Sequence, residues 1–284
     1  MTTSGIAVSS YYAFKKRQPS VRALRDADLM IVIKDVYEAN YSCYGVRKMW
    51  KAINRDYADR FGNVARCTIE RLMRQLGIDG VRRKRKRPKT ASAKAEECPD
   101  DLVEREFAAD GPNCLWVADI TYVPTQSGWV YTTFILDVFH REIVGWQVTN
   151  HMRESLARDA LTMALAAKFR AGEDVSGLVH HSDRGVQFRS IRYGETLAES
   201  EIVASVGSRG DSYDNAMAEA LNSVYKAELI DRRVWSGLIE VMAETSKWVG
   251  WYNQERLHSA IDYRPPFEVH AEWIDQGHIE SAAA

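Results

Sequence analysis

The chain has 284 residues, 45% of them apolar and 10% aromatic, ordinary for a protein with a buried core and more than one average domain needs. Its longest apolar runs, VYTTFILDVF and LTMALAAKF, fall short of the ~18 residues that span a bilayer, and the N-terminus lacks a charged-then-apolar signal pattern, which points away from membrane, secreted and fibrous classes. The net charge of −1 conceals a split: residues 1–98 hold 22 Lys+Arg against 10 Asp+Glu, a balance of +12, and the remainder sums to −13. A basic module therefore precedes an acidic one. The first carries the electrostatic footprint of a phosphate-backbone binder, and the second is expected to hold cations on some of its carboxylates if it too works on nucleic acid. The cysteines at 43, 67, 98 and 114 form no C-x-x-C pair and read as thiols of a cytoplasmic protein.

In chain order, apolar residues recur at helical spacing from Arg22 to about Asn40, a second helix is predicted over Val46–Tyr57, and a third over Val64–Leu76 with Gly77 as its C-terminal stop. This three-helix pattern fits a helix-turn-helix and, equally, a small bundle with a solvated basic face. Arg66, Arg71 and Arg74 lie off the apolar face of the third helix and are candidate DNA contacts. The run Arg82, Arg83, Lys84, Arg85, Lys86, Arg87, Pro88, Lys89 cannot pack and reads as a linker that doubles as a nucleic-acid arm. The expected organisation is a helical DNA-binding domain over 1–81, a basic linker over 82–111 and a larger domain over 112–284.

Beyond Pro112 the texture becomes β-branched and aromatic. Residues 115–123, 129–137 and 142–148 predict three antiparallel strands, 155–169 a helix, 177–181 a short buried strand ending at Ser182-Asp183, 192–199 a helix, 202–206 a strand and 215–229 a helix. The order βββαβαβα is that of an α/β domain with a mixed sheet. Three carboxylates stand out by position. Asp119 sits inside an apolar strand, where it costs burial energy unless paired, protonated or bound to a cation; Asp183 ends the fourth strand; Glu219 occupies the first turns of the last helix. Taken singly, Asp183 also reads as a turn residue and Glu219 as a surface glutamate. Asp137 is the nearest rival of Asp119, and Asp211 and Asp214 lie in a polar loop; none of the three is expected to be a ligand. His180 and His181 are strand neighbours that point to opposite faces, so both cannot face one ion. Lys226, at i+7 from Glu219, shares its helix face and is a candidate phosphate contact.

Together the motifs WVADITYV (116–123), HSDRGVQF (181–188) and YDNAMAEALN (213–222), with 35 residues between Asp183 and Glu219, resemble the DD(35)E core of bacterial insertion-sequence transposases of the IS-three family, relatives of retroviral integrase. The likeness extends to ILDVFHREIVGW (135–146), SVGSRGDSYDN (205–215), WYNQERLHS (251–259) and YRPP (263–266), and at the N-terminus to YGVRK (44–48) and TIERLMR (68–74), covering nearly the whole chain. The resemblance implies an RNase H-like mixed sheet flanked by helices and preceded by a small all-α helix-turn-helix domain. It implies two Mg²⁺ (or Mn²⁺) ions on Asp119, Asp183 and Glu219, one activating the attacking oxygen and the other stabilising the leaving one. It also implies double-stranded DNA, both element ends and target, as partner, a homo-oligomer on that DNA, and cooperation with an upstream-frame product (OrfA). No zipper-like heptad array is present, so the chain resembles the downstream-frame product (OrfB) alone. The competing readings are an accessory DNA-binding protein of transposition and an RNase H-type nuclease acting on hybrids.

Overall fold

In the computed structural model the described residues are 8–82, 103, 108–183, 185–206 and 215–277. Arg83, Lys84, Arg85, Lys86 and Arg87 of the basic arm, Cys98, and the loop acids Asp211 and Asp214 lie outside them. The chain divides into two compact units, residues 1–81 and 82–284.

The first unit contains α1 (Val8–Lys16), α2 (Val21–Ala39), α3 (Val46–Asp56), α4 (Ala58–Phe61) and α5 (Arg66–Leu76). The predicted helices correspond to α2, α3 and α5; the helix α1 and the single turn α4 are additions. Ser20 starts α2 by accepting from the Ala23 N–H (3.2 Å), and Gly77 ends α5 in the left-handed conformation (φ 66°) that glycine adopts without a Cβ clash. The apolar stripes of α2, α3 and α5 meet in a core of Leu29, Ile33, Met49, Ile53, Ile69, Leu72 and Met73. Asn54 fixes the α3–α5 connection: its amide accepts from the Val64 N–H (2.7 Å) and donates to the Val64 carbonyl (3.0 Å), which also receives the Trp50 indole N–H (2.8 Å). These bonds satisfy the backbone N–H and C=O of Val64 in the turn between α4 and α5.

In the second unit β1 (Leu115–Thr125), β2 (Gly128–Asp137) and β3 (Ile143–Thr149) form an antiparallel meander; α6 (Glu154–Ala171), β4 (Val179–Ser182), α7 (Ile191–Glu199), β5 (Val203–Val206), α8 (Ala216–Glu228), α9 (Leu238–Gln254) and α10 (Pro266–Asp275) follow. The sheet order is β3-β2-β1-β4-β5, with β4 and β5 parallel to β1. This is the RNase H-like mixed sheet that the motifs imply. Alternation along β1 divides its residues between two layers. Trp116 and Ala118 join Ile135, Val144, Ala157, Leu161, Tyr193 and Leu197 beneath α6 and α7. On the other face Phe134, Tyr225 and Trp248 stack edge-on or tilted (centroids 4.9–5.9 Å apart), holding α8 and α9 to the sheet.

Two polar links tie the C-terminal tail to this core. Arg256 donates in bidentate fashion to Glu228 at the end of α8 (2.8 and 2.6 Å, both groups buried), and the Asn253 amide both accepts from Ile143 N–H (2.9 Å) and donates to its carbonyl (3.0 Å), closing the start of edge strand β3. Among the described residues, no helix is long and apolar enough to cross a membrane.

Gly145 in β3 packs directly against α6. A Cβ there would stand 2.3 Å from the Ala160 carbonyl oxygen and 3.0 Å from Ala164 Cβ. Gly145→Ala is expected to destabilise the unit by on the order of 3 kcal/mol, read by chemical denaturation, because relief requires prising α6 off the sheet. Unchanged stability would contradict this packing.

Candidate active site

The parallel register of β1 with β4 sets Ala118 opposite Ser182, so the next residues, Asp119 within β1 and Asp183 just past the end of β4, stand at one level. Helix α8 is pinned across the same point by two asparagines. Asn215, at its N-terminal boundary, donates to the Ala118 carbonyl (2.9 Å), and Asn222 donates to Asp119 Oδ2 (2.8 Å). Glu219 lies four residues after one and three before the other, which puts it on the helix face turned to the strand ends. Three carboxylates far apart in sequence are thereby brought together.

Electrostatics records this convergence. The Asp119 carboxyl is pushed up to about 7, chiefly by burial and then by the negative charges of Asp183 and Glu219, against the lowering effect of hydrogen bonds from the Ile120 N–H (2.8 Å) and Asn222. Asp183 is also raised: its side chain keeps solvent on one side, but the protein crowded around the carboxyl outweighs the Gly185 N–H that donates to Oδ1 (2.9 Å). Glu219 is exposed. The cluster holds oxygen donors and surplus negative charge.

The rival acid Asp137 sits in the opposite environment. It accepts from the N–H groups of Asn113 (2.8 Å) and Phe139 (2.9 Å) and from the Trp116 indole (3.1 Å), and its oxygen lies 3.1 Å from His140 Nδ1. Burial alone would raise its pKa, but His140 and these donors bring it below the usual value; His140 in turn, which burial would lower, is raised to about 9 by Asp137 and Glu142. Asp137 is neutralised internally.

The strand histidines are both structural. His180 is buried, lowered to about 4 by that burial and hence neutral, and its Nε2 meets the Tyr193 hydroxyl at 3.0 Å; His181 Nδ1 meets Ser205 Oγ at 2.9 Å. Lys226 Nζ stands 4.3 Å over the exposed ring of Tyr122, with Tyr122 edge-on to Trp129. In the first unit Arg66, Arg74 and Arg82 are exposed, whereas Arg71 donates to both oxygens of Asp26 (3.0 Å each) and bridges α5 to α2. Arg71 is thus committed to packing, in contrast to the two arginines grouped with it on sequence grounds. Reading the sequence also passed over Asn215 and Asn222. Their signal was present: two asparagines at i−4 and i+3 of an acidic residue, one of them mid-helix, where asparagine is a poor helix former.

Models of known families match in the same places. An HTH-like domain covers residues 23–86, and two integrase core domain models cover 109–212 and 200–266. The chain is 44% identical over 273 residues to a putative transposase for insertion sequence element IS986/IS6110 of Mycobacterium tuberculosis, covering 95% of this chain and 97% of the relative. It is 45% identical to the transposase for IS629 of Shigella sonnei (93% and 88% covered) and 32% identical to that for IS904 of Lactococcus lactis (88% and 96% covered). An integrase core behind a helix-turn-helix-like domain defines a class of enzymes that transfer polynucleotide strands. The chain belongs within it to the insertion-sequence transposases of the IS-three family.

The raised Asp119 carboxyl has a signed consequence for stability. The unfolded chain ionises this residue near 4 and the folded one near 7, so the folded state's advantage is complete below about pH 4 and is lost as the pH rises to 7. In EDTA at pH 8, Asp119→Asn is expected to be more stable than wild type by roughly 2–3 kcal/mol, the difference shrinking as the pH falls toward 4. Coincident denaturation curves at pH 8 would refute the charge cluster.

Proposed function

We propose that the unit formed by residues 82–284 cleaves and transfers DNA strands at the ends of an insertion sequence, with Asp119, Asp183 and Glu219 as its catalytic carboxylates. The observation that carries this reading is geometric: the β1–β4 register sets Asp119 beside Asp183, and the two asparagine bonds of α8 turn Glu219 toward them, where burial and then the charges of both acids raise the Asp119 carboxyl. Three oxygen donors with unbalanced charge suit hard divalent ions, Mg²⁺ or Mn²⁺, and two such ions are the number we assign. When bound, they supply a nucleophilic oxygen at neutral pH and charge stabilisation for the leaving oxygen.

The chain's own residues arrange that chemistry. Asn222 occupies one lone-pair direction of Asp119 Oδ2 and fixes its carboxyl plane; Asn215 holds the strand beneath it. The Gly185 N–H orients Asp183. Lys226, on the helix face that bears Glu219, places a cation where a DNA phosphate would approach. Residues 1–81, with the arm from Arg82 through Arg83, Lys84, Arg85, Lys86 and Arg87, hold double-stranded DNA through Arg66, Arg74 and the arm, and the joining of two ends to a target calls for a homo-oligomer on the DNA, with an upstream-frame product as a further partner. The purely accessory reading has less support, because a binding protein has no need to collect three carboxylates at one strand edge.

Asp183→Asn and Glu219→Gln are expected to abolish Mg²⁺-dependent cleavage of labelled terminal-repeat DNA while leaving DNA affinity within about threefold, since the amides keep shape and lose charge. Full cleavage by either variant would sink the assignment. On the binding side, Arg66→Ala and Arg74→Ala should each flatten the dependence of log affinity on log salt by about one contact, whereas Arg71→Ala should act mainly on the melting temperature of the helical unit. A salt slope indifferent to Arg66 and Arg74 would move the DNA elsewhere.

A further inference from the structure

A second group of ligating side chains lies on the acidic unit, outside the carboxylate site. His140 in the β2–β3 turn, Glu142 just before β3, and His270 on α10 each offer a donor atom, and these atoms all lie within 4.8 Å of one another. His140 Nε2 is 2.7 Å from Glu142 Oε2, and His270 Nδ1 is 3.7 Å from that same oxygen. Donors on a tetrahedral ion with bonds of about 2.0–2.1 Å lie about 3.4 Å apart, so small side-chain shifts convert this triangle into one face of a zinc-type site.

The surroundings support a metal as well. Each histidine has a carboxylate against its other ring nitrogen: Asp137 Oδ1 lies 3.1 Å from His140 Nδ1, and Glu173 Oε2 lies 3.3 Å from His270 Nε2. A carboxylate behind a ligating histidine fixes its tautomer and aims the opposite nitrogen at the ion. Charge points the same way. Asp137, Glu142 and Glu173 bring three negative charges, and Lys168, 2.8 Å from Glu173 and 4.0 Å from Glu142, returns one. The His140 proton offsets one of the two remaining charges, and a divalent ion that displaces that proton offsets both. The His140 and His270 rings are stacked with centroids 4.6 Å apart.

We propose that His140, Glu142 and His270 form a structural site for a borderline-soft divalent ion of the Zn²⁺ class, its fourth position completed by water, which staples α10 to the β2–β3 turn. Nitrogen donors distinguish it chemically from the all-oxygen carboxylate cluster. Binding displaces any ring proton to solvent and involves no redox step.

The test uses the untagged full chain carrying Asp119→Asn and Asp183→Asn, so that the carboxylate cluster cannot report. Co²⁺ titration should give the visible d–d band of a tetrahedral complex at one ion per chain, which Zn²⁺ removes by competition. Zn²⁺ should raise the melting temperature at concentrations where Mg²⁺ does not, because only an ion that prefers the folded form stabilises it. Adding His270→Gln should weaken Co²⁺ binding at least tenfold and abolish the Zn²⁺-dependent rise. An octahedral, weak spectrum, a melting temperature equally responsive to Mg²⁺ and Zn²⁺, or undiminished binding by the His270→Gln protein overturns the site. Should that variant fold poorly, the spectrum and melts of the double variant with its histidines intact decide the question.

Discussion

The crossing of α8 over β1 is the contact on which the acidic unit turns. Two asparagine amides, one on the Ala118 carbonyl and one on the Asp119 carboxyl, set the helix against the strand, and Glu219 is carried between them. The arrangement opposes electrostatics, because it gathers like charges at a strand end. It persists because the rest of α8 is anchored independently: Tyr225 packs on Phe134 and Trp248 and shares a 2.7 Å hydrogen bond with Thr245, and Glu228 is locked to Arg256. Aromatic burial and a bidentate ion pair hold the helix where its acidic face alone would not stay.

Asp119 and Asp137 show how one residue type acquires opposite behaviour from its neighbours. Both lie on adjacent strands of one sheet and both are crowded by protein. Asp137 is surrounded by N–H donors and a protonated histidine, which hold its charge in place; Asp119 faces two more carboxylates, which drive it toward protonation. The first is satisfied from within the fold. The second is left among like charges, which accords with the metal-binding role proposed for it.

The helical unit divides its arginines in a similar way. Arg71 faces Asp26 across the α2–α5 contact and satisfies two carboxylate oxygens, while Arg66 stays exposed and Arg74 pairs with the solvent-facing Glu70. An exposed i,i+4 pair of that kind contributes a few tenths of a kcal/mol and yields readily to a phosphate. The same basic composition thus serves packing at Arg71 and leaves exposed charge at Arg66 and Arg74, in accord with the DNA contact proposed for them.

The sequence by itself determined the helix and strand periods, the charge split between the two modules, and the oddity of an acidic residue inside the strand around Asp119, because these depend on neighbours within a few residues. It also carried the motifs that mark the family. The tertiary structure alone decided which distant residues meet: that Asn222 rather than a charged group would touch Asp119, that Arg71 would be taken by Asp26, and that His140, Glu142 and His270 would gather with Glu173 beside them. Such meetings follow from sheet register and the seating of one helix on another, which are set by packing over the whole domain and leave no trace in local periodicity.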